Sequence, residues 1–175
     1  MNIRQMTRCA LMTAVIAVLS PLSVPLSTQV PISLATFAVM LGGAVLGAKE
    51  GVICTAVYLL LGAIGIPVFA GYTSGIGILV GMTGGYLIGY LPLAYLTGFA
   101  AEKNRGTGSL VIGMLGGTAV LYVIGTAWFM AVTKMPLAAS LAACVLPFLP
   151  GDALKIAVVA VIAPRLRAAL NHTAA

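Results

Sequence analysis

The chain has 175 residues, 61% of them hydrophobic, with nine basic and three acidic side chains and a mean hydropathy of +1.15. A water-soluble domain carries roughly 25% charged residues. This chain carries 7%, which excludes an ordinary soluble fold and leaves lipid as the solvent for most of the surface. The net charge of +6 would favour nucleic acid in a soluble protein, but here the basic residues cluster at the ends of apolar runs, where they set membrane topology; no nucleic-acid partner is expected.

A hydrocarbon core about 30 Å thick needs roughly 20 apolar residues per helix, so the expectation is one all-α transmembrane domain over residues 1–175 with six spans. The first covers about 7–19, behind Arg4 and Arg8. That start resembles a secretory signal, but the further apolar spans favour an uncleaved helix. Pro21, Pro25 and Pro31 cannot donate helical hydrogen bonds and force an irregular connection. Spans two and three follow at 32–46, closed by Gly47, and at 51–64, after the polar step Lys49-Glu50. Residues 65–85 hold seven glycines and one proline, the composition of a loop or a broken helix.

Span four, 86–101, runs into the polar stretch 102–106 with Glu102, Lys103 and Arg105, a water-facing turn. Span five, 110–132, is closed by Lys134 and Pro136; the apolar segment 137–148 is too short to cross; span six is 151–163, with Pro164, Arg165 and Arg167 marking its exit. With the N-terminus in the cytoplasm, Arg4, Arg8, Lys49, Lys103, Arg105, Arg165 and Arg167 fall inside and Lys134 outside, so both termini are cytoplasmic under the positive-inside rule.

Asp152 and Lys155, three apart at the outer end of the sixth span, share a helix face. Ionisable residues at membrane depth cost about 2.5 to 3.5 kcal/mol each and generally face a cavity, a partner or a pathway. The glycine-rich segment on the same side carries Phe69, Tyr72, Thr73, Ser74, Thr83, Gly84, Gly85 and Tyr86. Glycines allow close backbone approach while aromatics and hydroxyls offer stacking and directional bonds, a combination suited to a small amphipathic ligand. Ala10 and Ala14 put small residues on one face of the first helix, where another helix can come close. Cys9, Cys54 and Cys144 lie in apolar runs without CxxC spacing and read as small buried residues rather than a disulfide or metal framework. With one histidine, His172, in the polar tail and no phosphate-binding loop ending in Gly-Lys-Ser/Thr, no enzymatic apparatus is visible.

Several stretches together resemble the BioY family, biotin-specific substrate-binding (S) components of energy-coupling factor (ECF) transporters. They are Val30-Pro-Ile-Ser-Leu-Ala-Thr-Phe, the stretch 43–51, Tyr58-Leu-Leu-Leu-Gly-Ala-Ile-Gly-Ile-Pro-Val-Phe-Ala-Gly, Gly81-Met-Thr-Gly-Gly-Tyr and Leu149-Pro-Gly-Asp-Ala-Leu-Lys, and the likeness as a whole covers about residues 7–167. The family's usual Gly-Pro-Thr-Gly-Gly-Tyr departs here only at Met82. The resemblance implies a six-helix bundle in the bacterial plasma (inner) membrane and an external pocket roofed by the connections after the first and third spans. Asp152 and Lys155 would then contact biotin, 72–75 and 83–86 would form binding loops, and Ala10 and Ala14 would dock a membrane coupling protein served by two ATPase subunits. It further implies that biotin is cargo, that no cofactor is held, and that the chain is not an enzyme. An S component for another vitamin, or a stand-alone biotin importer, are the alternatives.

Overall fold

The structure, a computed structural model, describes residues 2–24, 31–103 and 106–172; Pro25, Val30 and Arg105 lie outside the described residues. Among the described residues, the regular structure is helical except for one small strand pair. Helix α1 (Ile3–Leu19) leads through β1 (Ser23–Val24) and β2 (Ile32–Ser33) to α2 (Ala35–Leu46), α3 (Ala48–Ala63) and a 3₁₀ turn (Ala70–Tyr72). There follow α4 (Ile76–Val80), α5 (Gly84–Lys103), α6 (Thr107–Thr133), α7 (Leu137–Cys144) and α8 (Leu149–His172).

By length and apolarity, α6 alone among the described helices suffices to cross a membrane, and α7 with α8 suffices as a pair bent by 47°. Helix α2 has 12 residues, about 18 Å at 1.5 Å per residue, because the chain before it is extended rather than helical. Large apolar side chains face outward along the bundle, among them Leu11, Leu60, Ile112, Val123 and Val161. An exterior of this kind suits lipid and is costly in water.

Two expectations change. Helix α1 begins at Ile3 rather than near residue 7, because Asn2 caps it: its side-chain oxygen accepts from the first turn while the Gln5 side chain accepts from the Asn2 N–H at 2.8 Å. Pro164 does not end the last helix, which continues to His172. A proline removes one intrahelical bond, and a helix already packed on α2 and α6 tolerates that loss. The segment 65–85 is a broken stretch, as composition suggests, holding the 3₁₀ turn and α4.

Glycines set the helix spacing. Side chains on Gly113 and Gly117 of α6 would press on the α5 backbone at Leu96 and Leu93, and one on Gly89 of α5 would press on Leu121 of α6. These two helices therefore run backbone to backbone, with van der Waals packing in place of a hydrophobic drive that lipid does not supply. Gly47, at φ +97°, turns α2 sharply into α3, and Glu102 accepts from the Ala48 N–H at 3.1 Å at the start of that helix.

The same end of the bundle gathers Arg8, which donates to the Leu170 carbonyl at 2.8 Å, and Arg167, which donates to the Ala101 carbonyl. The opposite end is roofed by the two irregular connections. Ser23 pairs with Ser33 and Val24 with Ile32 in antiparallel fashion, the Gly71 N–H donates to Pro21 at 3.1 Å, and the Gly75 N–H donates to Gly62 at 2.7 Å.

A Cβ on Gly98 would lie against the Gly47–Ala48 backbone, which cannot yield, so Gly98→Ala should cost about 1–3 kcal/mol. Thermal unfolding in detergent should show a clearly lowered midpoint for it and none for Gly108→Ala, where the added methyl meets nothing.

Candidate ligand-binding site

The site begins where helix α2 fails to extend backwards. Residues 31–34 are irregular or extended, so the Ser33 carbonyl has no helical partner and points to another donor. Non-helical backbone at membrane depth persists only where protein or a cavity satisfies it. Here the donor is Lys155 of α8, whose Nζ lies 2.8 Å from Ser33 O, 2.9 Å from Thr36 Oγ1 and 2.9 Å from Asp152 Oδ1. An ammonium has three protons, and all three are engaged. Thr36 in turn donates to Asp152 Oδ1 at 3.3 Å, and the Tyr122 hydroxyl of α6 donates to Asp152 Oδ2 at 2.5 Å. Asp152 is 4% exposed and Lys155 9%. The sequence-level pair is thus the centre of a buried hydrogen-bonded cluster joining α2, α6 and α8.

Two cavities meet beside this cluster. A pocket of about 50 Å³ is bounded by Asp152, Lys155, Thr36, Tyr122 and Phe148. A larger one of about 350 Å³ lies under the roof and is lined by Phe69, Thr73, Thr83, Tyr86, Tyr58 and Met82, among others. They share Pro31, Ser33, Tyr86 and Tyr90 as a common wall. The larger volume lies in the range of small-molecule sites, about 300–1,000 Å³. Its aromatic wall is closely packed. Tyr58 and Phe69 meet edge to face at 5.7 Å and 80°, Gly62 leaves the room that the Phe69 ring occupies, and the Tyr86 hydroxyl pairs with Thr126 at 3.2 Å.

Of the candidates named from sequence, Asp152 and Lys155 line the small pocket, Phe69, Thr73 and Thr83 the large one, and Tyr86 both. The others are not brought to either cavity. Tyr72 is 66% exposed, at φ +60° on the outer side of its turn. Ser74 is half-buried outside the lining. Gly84 and Gly85 are buried against Trp128, whose indole N–H donates to the Gly81 carbonyl at 2.9 Å, so they seat the start of α5 on α6 rather than face the cavity. Ala10 and Ala14 are exposed and border an apolar groove of about 420 Å³ between α1 and α3. The three cysteines are buried and free. Ser33, Thr36, Tyr58, Tyr90 and Tyr122 do not stand out from sequence; for the first two, the one available signal is a pair of hydroxyl residues three apart in the otherwise apolar run after Pro31.

Comparison with known proteins fits this arrangement. The BioY family model matches residues 1–172. This chain belongs to the BioY family. It is 39% identical to biotin transporter BioY2 of Lactococcus lactis subsp. cremoris, over 96% of this chain and 92% of that protein. It is 36% identical to biotin transporter BioY of Thermotoga maritima, over 94% and 96%. Among solved structures, the S component for biotin from an ECF-type ABC transporter superposes with a TM-score of 0.87 at 35% identity, covering 94% of this chain and 91% of that one. BioY proteins are transport components, so this BioY chain is not an enzyme.

Lys155→Ala would leave the Asp152 carboxylate buried without a cation, at a cost of about 3–5 kcal/mol. Thermal unfolding of the detergent-purified protein should show a large loss, against little change for Leu154→Ala on the exposed face of the same turn.

Proposed function

We propose that this chain binds biotin from the external side and imports it as the S component of an ECF-type ABC transporter. The observation that carries the reading is the buried Asp152–Lys155 cluster, which lines a small pocket adjoining a roofed, aromatic-lined cavity of about 350 Å³. Kinship with biotin transporters and with a solved biotin S component supports it.

Biotin presents two ureido N–H donors at one end and an ionised carboxylate at the other. Asp152 can only accept, so it pairs with the ureido end. Lys155, with its protons engaged inside the chain, holds the carboxylate of Asp152 rather than the ligand. The bicycle packs on Tyr86 and Tyr90, and the valerate chain extends along the large cavity past Phe69 toward Thr73 and Thr83. Biotin is cargo, and no cofactor takes part.

The bundle crosses the bacterial inner membrane six times, through α1, α2 with its extended lead, α3, α5, α6 and the α7–α8 pair, with both termini cytoplasmic. The basic end carrying Arg4, Arg8, Lys49, Lys103, Arg165 and Arg167 faces inward, in keeping with the positive-inside rule. The roofed cavity and Lys134 then face outward. The exposed small residues Ala10 and Ala14 offer a membrane coupling protein close approach beside the α1–α3 groove, and two ATPase subunits energise that partner.

Titration calorimetry on the purified chain tests the assignment: Asp152→Asn and Lys155→Ala should each weaken biotin binding at least about tenfold, since each leaves a buried charge unpaired. Unchanged binding in both, or a competition panel in which another vitamin displaces label better than biotin, would refute it. Uptake of labelled biotin by cells making this chain should fall when the coupling protein and ATPases are deleted.

A further inference from the structure

The biotin-binding reading leaves open what aims the Asp152 carboxylate, and the hydrogen bonds around it give an answer. Oδ1 accepts from Lys155 at 2.9 Å and from Thr36 at 3.3 Å. Oδ2 accepts from Tyr122 at 2.5 Å, its single partner in the protein among the described residues. An ionised carboxylate has about four lone-pair sites, two on each oxygen. Three are filled, and the fourth, on Oδ2, belongs to a residue that lines the 50 Å³ pocket next to Tyr86 and Phe148.

We propose that Tyr122 and Thr36 are positioning residues of the biotin site, gripping the Asp152 carboxylate from α6 and α2 so that the open lone pair of Oδ2 is held toward the pocket for a ureido N–H. The proposal rests on the biotin-binding reading above. The Asp side chain ends in a broad, roughly two-fold torsion that by itself does not fix the carboxylate plane. Contacts on one oxygen act as a pivot, and contacts on both remove the rotation. Thr36 suits this part because its hydroxyl accepts from the Lys155 ammonium at 2.9 Å and passes its own proton toward Oδ1, linking cation and anion without competing for either. Tyr122 suits it because its phenol reaches Oδ2 from a third helix, on the far side from Lys155. Neither residue needs to touch the ligand.

The test is a double-mutant cycle read by titration calorimetry with biotin on the full chain. Tyr122→Phe should weaken binding about tenfold in the wild-type background and less than about threefold in an Asp152→Asn background. In that background an amide NH2 stands where Oδ2 was, so no lone pair is left there for Tyr122 to aim at a ureido N–H. Thr36→Val should weaken binding about fivefold, and Thr36→Ser, which keeps the hydroxyl, should stay within about twofold of wild type. Thr97→Val, at a buried hydroxyl remote from both cavities, should bind as wild type does. Loss of packing alone would give equal Tyr122→Phe penalties in both backgrounds and would overturn the proposal, as would Tyr122→Phe binding within about twofold of wild type. If Tyr122→Phe does not yield folded protein, equal binding by Thr36→Ser and Thr36→Val overturns it instead. Absence of biotin binding by the wild-type chain would bring down the functional reading itself, a result distinguishable from all of these.

Discussion

Everything at the roofed end of the bundle is organised around a buried ammonium group. Lys155 is buried in an apolar helix, and its three protons must find oxygen. The protein supplies one carboxylate, one hydroxyl and one main-chain carbonyl, from α8, α2 and the extended residue before α2. The last of these explains a feature of the fold that is otherwise odd. A 12-residue α2 is short for a helix in a bilayer, but extending it backwards would return the Ser33 carbonyl to the helical ladder and deprive Lys155 of a partner. The irregular stretch, the cavity wall and the ion pair are one solution to one constraint.

The rest of the structure can be described by its distance from that cluster. At the roof, the strand pair within the first connection and the Gly71–Pro21 backbone bond that ties the second connection to it cover the aromatic cavity without using charged groups. Between the two ends, glycines on α5 and α6 let the two helices meet at backbone distance and leave Tyr86 and Tyr90 bordering both cavities. At the far end, arginines and Glu102 tie helix termini together through carbonyls and amides. The polar chemistry is thus split between a basic end that ties helix termini and a buried end suited to a ligand.

Much of this was legible in the sequence because charge is so rare in it. Asp152 and Lys155 stand out in an apolar run, and helical spacing puts them together; Gly47, Lys134 and the glycine-rich stretch likewise announce breaks where the structure has them. Their partners did not stand out. Thr36 and Tyr122 lie 116 and 30 residues from Asp152, and threonine and tyrosine are ordinary residues in membrane helices, so only the packing of α2 and α6 on α8 reveals them. Conversely Tyr72, Gly84 and Gly85 looked like ligand residues from composition. A side chain on a left-handed turn can face outward, and a glycine can serve a neighbouring indole as well as a cavity. Pro164 misled for a related reason: a proline marks where a helix can end, not where it must.

Solid-state NMR on the chain in lipid bilayers, with ¹³C at the Asp152 carboxyl and ¹⁵N in the ureido ring of biotin, measures the central contact directly. The account predicts strong carbon–nitrogen dipolar recoupling, corresponding to a direct N–H···O hydrogen bond of about 2.9 Å between the heavy atoms. A bound vitamin whose ring nitrogens show no coupling to that carboxyl, and couple instead to residues of the roof, would contradict it.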